Sequence, residues 1–138
     1  MSPTRLPVSV IVTMRNSSST ILECLKGLAS QDYPVAEIIV FDNVSTDHSA
    51  DLVEQFAKEC RVPIRLIRQT VNRGISNSYN EGAAMASSPL LILVHSDGAF
   101  PSPHEIEKLT APLRNNPSVV ATYPKILMPF SVWVRFPF

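Results

Sequence analysis

At 138 residues, 45% of them hydrophobic, the chain has the size of one domain and enough apolar side chains for a core of its own. Twelve Lys and Arg balance twelve Asp and Glu, which excludes a nucleic-acid binder that works through a basic field over the whole molecule. No apolar run reaches the roughly 18 residues of a membrane span and the N-terminus lacks a basic-then-apolar leader, so a cytoplasmic protein is expected.

Residues 8–13 are short and rich in β-branched side chains, which predicts a first strand. A polar stretch from Arg15 to Thr20 follows, and Thr20 with Glu23 has the spacing of a capping box. Ile21, Leu22, Leu25, Leu28 and Ala29 then recur at helical spacing, one face against a sheet, until Tyr33-Pro34 closes the segment. Residues 37–42 read as a second strand ending on a carboxylate, with 43–47 as a polar turn in which Ser45 or Thr46 is the expected cap of the next helix. Ala50, Val53, Phe56, Ala57 and Cys60 trace that helix's apolar stripe. Cys24 and Cys60 have neither Cys-x-x-Cys spacing nor a nearby His cluster, and read as reduced, buried thiols rather than a metal or redox motif.

A third strand over residues 64–69 has Arg65 and Arg68 flanking Leu66 and Ile67, the pattern of a sheet edge with solvated charges. Asn72-Arg73-Gly74 turns into a third helix with Ile75, Tyr79, Gly82, Ala83 and Ala86 on one face. Five aliphatic residues, 90–94, follow Pro89 and predict a strand buried on both faces, with His95-Ser96-Asp97-Gly98 directly after it. Ser102-Pro103-His104-Glu105 supplies a cap, a proline at the first helical position and a capping-box Glu for a fourth helix, which Pro112 kinks or ends. A fifth strand is predicted over residues 119–122. The expected domain occupies residues 1–127; residues 128–138, with four aromatics and two prolines, show no periodicity and read as an irregular tail.

Alternating strands and helices predict an α/β fold, a parallel sheet with helices on both faces. Ligands of such sheets bind outside the carboxyl ends of the strands, so Thr13, Arg15, Asp42, Asn43, Arg73, Asn80 and Asp97 are candidate site residues, although Asp97-Gly98 is also a common turn pair. The chain has no G-x-x-x-x-G-K-[ST] loop, no G-x-G-x-x-G after the first strand and no G-x-S-x-G elbow, which removes P-loop, dinucleotide-binding and α/β-hydrolase readings.

Residues 8–16 (VSVIVTMRN), 37–49 (EIIVFDNVSTDHS), 72–82 (NRGISNSYNEG) and 91–101 (LILVHSDGAFP) resemble, in order and spacing, the donor-binding half of family 2 glycosyltransferases. The resemblance covers nearly all of residues 7–127. It implies the Rossmann-like GT-A nucleotide-diphospho-sugar transferase fold in truncated form, transfer of a sugar from a nucleotide-diphosphate sugar to a saccharide or lipid-linked acceptor, inversion at the anomeric carbon and a divalent ion, Mg²⁺ or Mn²⁺. Peripheral association with the inner face of the membrane is compatible with it. In the family the carboxylate after strand two contacts base or ribose, and an Asp-x-Asp motif after strand four holds the ion; Asp42 and Asp97 match those places. Asn43 stands where many members have a second Asp, Val44 where Gly or Ala is common, and His95-Ser96-Asp97 keeps only the last carboxylate of Asp-x-Asp. One carboxylate plus substrate phosphates can suffice for Mg²⁺, and imidazole suits Mn²⁺ less well than oxygen. Asp97 is therefore the expected metal ligand, while His95 contacts the donor or supports the turn, with Ser96 beside it in the donor site. No residue of this chain matches the family's general base. The competing readings are a sugar nucleotidyltransferase, whose Gly-rich loop after strand one is absent here, and a nucleotide-binding module without catalysis.

Overall fold

Four of the five predicted strand runs become strands, and each 3.6-period stripe becomes a helix. The computed structural model describes residues 5–124, with β1 (Val8–Met14), α1 (Ile21–Ala29), β2 (Val35–Asp42), α2 (Ser49–Glu59), β3 (Ile64–Arg68), α3 (Ile75–Met85), β4 (Leu90–His95) and α4 (Glu105–Asn115) in strict alternation. The strands form one sheet in the order β3-β2-β1-β4, and every pairing is parallel. Internal packing divides the chain into one unit spanning Met1–Glu107, which holds the sheet, and another spanning Lys108–Phe138.

Alternation along the strands sorts the core into two layers. Val8, Val10, Val12, Ile38, Val40 and Val94 point to one side, where Leu25 and Leu28 of α1, Val53 of α2 and Ile106 at the start of α4 cover them. Ile11, Ile39 and Phe41 point to the other, against Tyr79 of α3. Helices on both faces, as the alternation of elements predicts, follow from this two-sided burial.

On the second side α3 approaches closely because Gly82 carries no side chain: a Cβ there would stand 2.6 Å from Ile11 Cγ2 and 3.0 Å from Phe41 Cε2. The buried positions of α3 are Ser78 and Gly82. Ile75, expected on the covered face, is 47% exposed, since the contact is made by the side with the least bulk.

Four further expectations are corrected. β4 is not buried on both faces: it lies at an edge of the described sheet, and Leu91 and Leu93 are 42% and 53% exposed. Residues 119–122 form no strand, because their β-branched side chains find no ladder partner among the described residues. Thr20 makes no side-chain cap on α1, and its hydroxyl donates to the Ser17 carbonyl instead. Neither Ser45 nor Thr46 caps α2: the cap position is His48, which makes no side-chain cap bond, and Asp47 just before it accepts the Ser49 amide at 3.0 Å. The Ser49 hydroxyl, helped by the Ser49 and Ser18 amides, holds the Asp47 carboxyl below the usual range. At α4 the expected Ser102–Glu105 contact forms, and the helix runs past Pro112 to Asn115.

Of the two cysteines, both free, Cys24 is buried while Cys60 is only half-buried beyond the end of α2. Arg65 and Arg68 at the β3 edge are taken up by carboxylates, Arg65 by Glu37 and Arg68 by Asp51 and Glu54. No helix of the described residues is long and apolar enough to cross a membrane. The tail over residues 128–138 lies outside the described residues.

Candidate functional site

The chain winds outward from β1 through β2 to β3, then returns to the far side of β1 for β4. That reversal is a topological switch point, and open parallel sheets bind ligands there, at the carboxyl ends of the strands. The register sets which residues meet. Thr13 pairs with Phe41 on one side and His95 on the other, and Met14 with Asp42. Pairing continues one step beyond the strands, with the Asn43 amide donating to the Met14 carbonyl at 2.9 Å and the Ser96 amide to the Thr13 carbonyl at 3.1 Å.

A cavity of about 800 Å³ opens on this edge. Its wall consists of Thr13 to Ser17 with Ser19 and Thr20 after β1, Asn43 after β2, Asn72, Gly74 and Ile75 at the head of α3, and His95, Ser96 and Asp97 after β4. Six of the nine residues expected from the sequence therefore share one cavity: Thr13, Arg15, Asn43, His95, Ser96 and Asp97. The other three stay outside its lining. Asp42 is buried and its Oδ1 accepts the Ser45 amide at 3.0 Å. Arg73 is exposed between Asn72 and Gly74, and Asn80 sits on the exposed side of α3.

The β1–α1 and β2–α2 loops are laced to each other. The Asn16 amide donates to Ser45 Oγ at 2.9 Å, and Asn16 Oδ1 accepts the Thr46 amide at 2.8 Å. Asn16 and Val44 both have positive φ, 51° and 63°, a costly conformation for a β-branched residue that persists only where surrounding bonds impose it. On the α3 side, Ser78 Oγ donates at 3.2 Å to Asn43 Oδ1 or to the Gly74 carbonyl. Gly74 enters the helix at φ 81°, which favours glycine at the point where the backbone faces the cavity.

His95 is exposed, with the Tyr79 ring edge-on at 6.0 Å. Among the described residues, Asp97 is the only carboxylate in the cavity wall. It sits on a tight turn closed by the Gly98 amide donating to the His95 carbonyl at 2.9 Å. A Cβ on Gly98 would meet Val94 Cγ1 at 2.8 Å, so that turn needs a glycine for space. Beneath it, the Cys24 thiol is pushed up to about 12 by burial and by the Asp97 charge, which leaves it an inert, protonated group. Among the described residues no three His, Cys, Asp or Glu side chains gather into a metal site of their own.

Asn16, Ser17, Asn72 and Gly74 line the cavity without having been singled out from the sequence. Polar residues directly after a strand were the available signal, but only the fold tells which of them turn inward.

The sequence profile of Glycosyl transferase family 2 matches residues 9–136. The chain is 30% identical over 90 residues to the poly-beta-1,6-N-acetyl-D-glucosamine synthase of Staphylococcus epidermidis, across 65% of this chain and 21% of that protein. Its structure resembles the mannosyltransferase PcManGT from Pyrobaculum calidifontis in complex with GDP-Man and Mn²⁺, with a TM-score of 0.70 at 27% identity over 75% of this chain and 31% of that one. It likewise resembles S. aureus TarS 1-349 in complex with UDP-GlcNAc, with a TM-score of 0.65 at 27% identity over 75% of this chain and 30% of that one. The chain thus spans less than a third of the length of each of these proteins. Its parallel sheet with flanking helices is the GT-A arrangement of those transferases. With the family profile matching nearly its whole length, the chain belongs to glycosyl transferase family 2.

Proposed function

We propose that the cavity binds a nucleotide-diphosphate sugar and that the protein passes the sugar to a hydroxyl of a saccharide or lipid-linked acceptor, with inversion at the anomeric carbon. The observation that carries this reading is the meeting of Thr13, Arg15, Asn43, His95, Ser96 and Asp97, from three separate strand ends, around one cavity. Two of the similar structures carry nucleotide sugars, GDP-Man and UDP-GlcNAc, which supports the choice of ligand. Arg15, a permanent cation in the wall, suits a diphosphate by charge. His95 faces the donor from beside Tyr79, and Asp42 acts on the nucleoside end by holding, through the Ser45 amide, the loop that carries Asn43.

The donor set fits a divalent ion of a particular kind. One carboxylate cannot fill six positions around Mg²⁺ or Mn²⁺, but such ions in phosphate-handling sites often take one or two carboxylates and complete their shell with substrate phosphates and water. Asp97 would hold an ion that arrives with the diphosphate, and the ion would neutralise the charge on the departing group.

Calorimetry with UDP, GDP, UDP-GlcNAc and GDP-mannose, each with and without Mn²⁺, tests the reading. Binding of at least one of these is expected to tighten with Mn²⁺, and Asp97→Asn to remove that gain, about tenfold or 1.4 kcal/mol, while metal-free binding stays within about twofold. Absence of binding by all four ligands, or a Mn²⁺ gain that survives in Asp97→Asn, would overturn it.

A further inference from the structure

Ser17 lies buried just ahead of α1 and connects three loops. Its amide donates to Ser49 Oγ at 2.7 Å, and the Ser49 hydroxyl spends its own proton on the Asp47 carboxylate. Its side-chain oxygen stands 2.7 Å from Ser96 Oγ, a contact between two buried hydroxyls 79 positions apart. Ser17 Oγ also lies 3.3 Å from the Arg15 carbonyl, and in the 2.7 Å contact either serine can be the donor.

Ser96 directly precedes Asp97. The turn that carries them leaves β4, a strand paired on one side only among the described residues; its anchors include the Thr13 carbonyl through the Ser96 amide, the Cys24 thiol on the His95 carbonyl, and Ser17 through the Ser96 hydroxyl. Exposed functional groups keep their geometry only when a supporting shell locks them.

We propose that Ser17 is a positioning residue for Asp97, pinning the Ser96 hydroxyl so that the Asp97 carboxylate is held where a diphosphate-bound cation meets it. The inference rests on the reading of Asp97 as the cation-facing carboxylate. Ser17→Ala, Ser96→Ala, their double variant and Ser17→Thr, which keeps the hydroxyl, would be titrated with UDP and GDP with and without Mn²⁺, beside Asp97→Asn. Ser17→Ala is expected to lose about tenfold of the Mn²⁺-dependent gain, the scale of one hydrogen bond, with metal-free affinity within about twofold. Ser17→Thr restores the gain, and the double variant loses no more than either single one, since both remove the same bond. A purely structural role would lower metal-free and metal-dependent binding together or make the single losses add, and either result overturns the proposal. If Ser17→Ala fails to fold, Ser17→Cys, which keeps the size of the side chain but weakens the bond, carries the same test. Loss of the gain in Asp97→Asn but not in Ser17→Ala or Ser96→Ala overturns this inference alone, whereas retention in Asp97→Asn overturns the reading beneath it as well.

Discussion

Glu37 is a charge placed inside a sheet, near the end remote from the cavity. Burial works against its ionisation, yet the Ser87 hydroxyl and amide at 2.6 and 2.8 Å, the Ser9 hydroxyl at 2.9 Å and Arg65 at 2.8 Å outweigh it and hold the carboxyl at about 2, against an ordinary 4.5. A carboxyl depressed on folding contributes stability that is present above its unfolded value and lost as pH falls toward its folded one. The window here therefore runs from about pH 4.5 down to about 2, and the contribution at neutral pH is on the order of 3 kcal/mol. Urea midpoints measured from about pH 5 to 2 should fall steeply for the native chain and more shallowly for Glu37→Gln, which should also be less stable at pH 7 by about 1–3 kcal/mol. Parallel pH profiles would show that Glu37 carries none of the acid sensitivity. The network was not legible in the sequence, where Glu37 read only as the start of a strand: the carboxylate meets Ser9 through the β1–β2 pairing and Ser87 from the loop before β4, and no local spacing encodes that.

Among the elements, α3 depends on two glycines for different physical reasons. At Gly82 the constraint is space, since Ile11 Cγ2 and Phe41 Cε2 already occupy the position a methyl would take. Gly82→Ala gains roughly 1 kcal/mol of helix propensity but must push the helix off the sheet, at about 1–3 kcal/mol. The expected net result is a destabilised protein with reduced nucleotide affinity, because α3 also carries the Asn72–Ile75 wall of the cavity; thermal unfolding beside a UDP titration measures both. At Gly74 the surroundings are open and the constraint is φ 81° and ψ 167°, a region essentially reserved for glycine. Gly74→Ala should thus cost about 1–3 kcal/mol without any clash. A Gly82→Ala variant as stable as the native chain would mean that the α3–sheet contact relaxes more easily than the packing implies.

For the molecule as a whole, charge balance sets behaviour in solution. The formal charge is zero and the sequence pI is about 6.8, so long-range repulsion between copies is weakest near neutrality, where molecules of little net charge associate most readily. Leu91 and Leu93 on the β4 edge add exposed apolar surface to that tendency. Light scattering at fixed protein concentration across about pH 5.5 to 8.5 should show the largest species near pH 6.8 and smaller ones on either side. A flat profile would show that net charge does not govern association of this chain.

What the sequence determined by itself was eight of the nine expected elements, the polarity of their ends and the family. Periods of two and 3.6 are short-range properties, so β1 to β4 and α1 to α4 could be placed from apolar spacing, and an alternation of strand and helix admits few arrangements other than a parallel sheet. The same logic put Thr13, Asn43 and His95 to Asp97 at strand ends, where the cavity opens. Tertiary structure decided the rest. Strand order made β4 an edge of the described sheet and left Leu91 and Leu93 in the open, against the reading of a continuous aliphatic run as doubly buried. Close approach at Gly82 decided which face of α3 is covered. Partners distant in sequence decided how polar groups are spent: Ser96 with Ser17, Asn16 with Ser45 and Thr46, Glu37 with Ser9 and Ser87. A side chain's neighbours along the chain set its backbone conformation, but its hydrogen-bond partner is whichever group the packing of the sheet brings within 3 Å, and that follows from strand order and register.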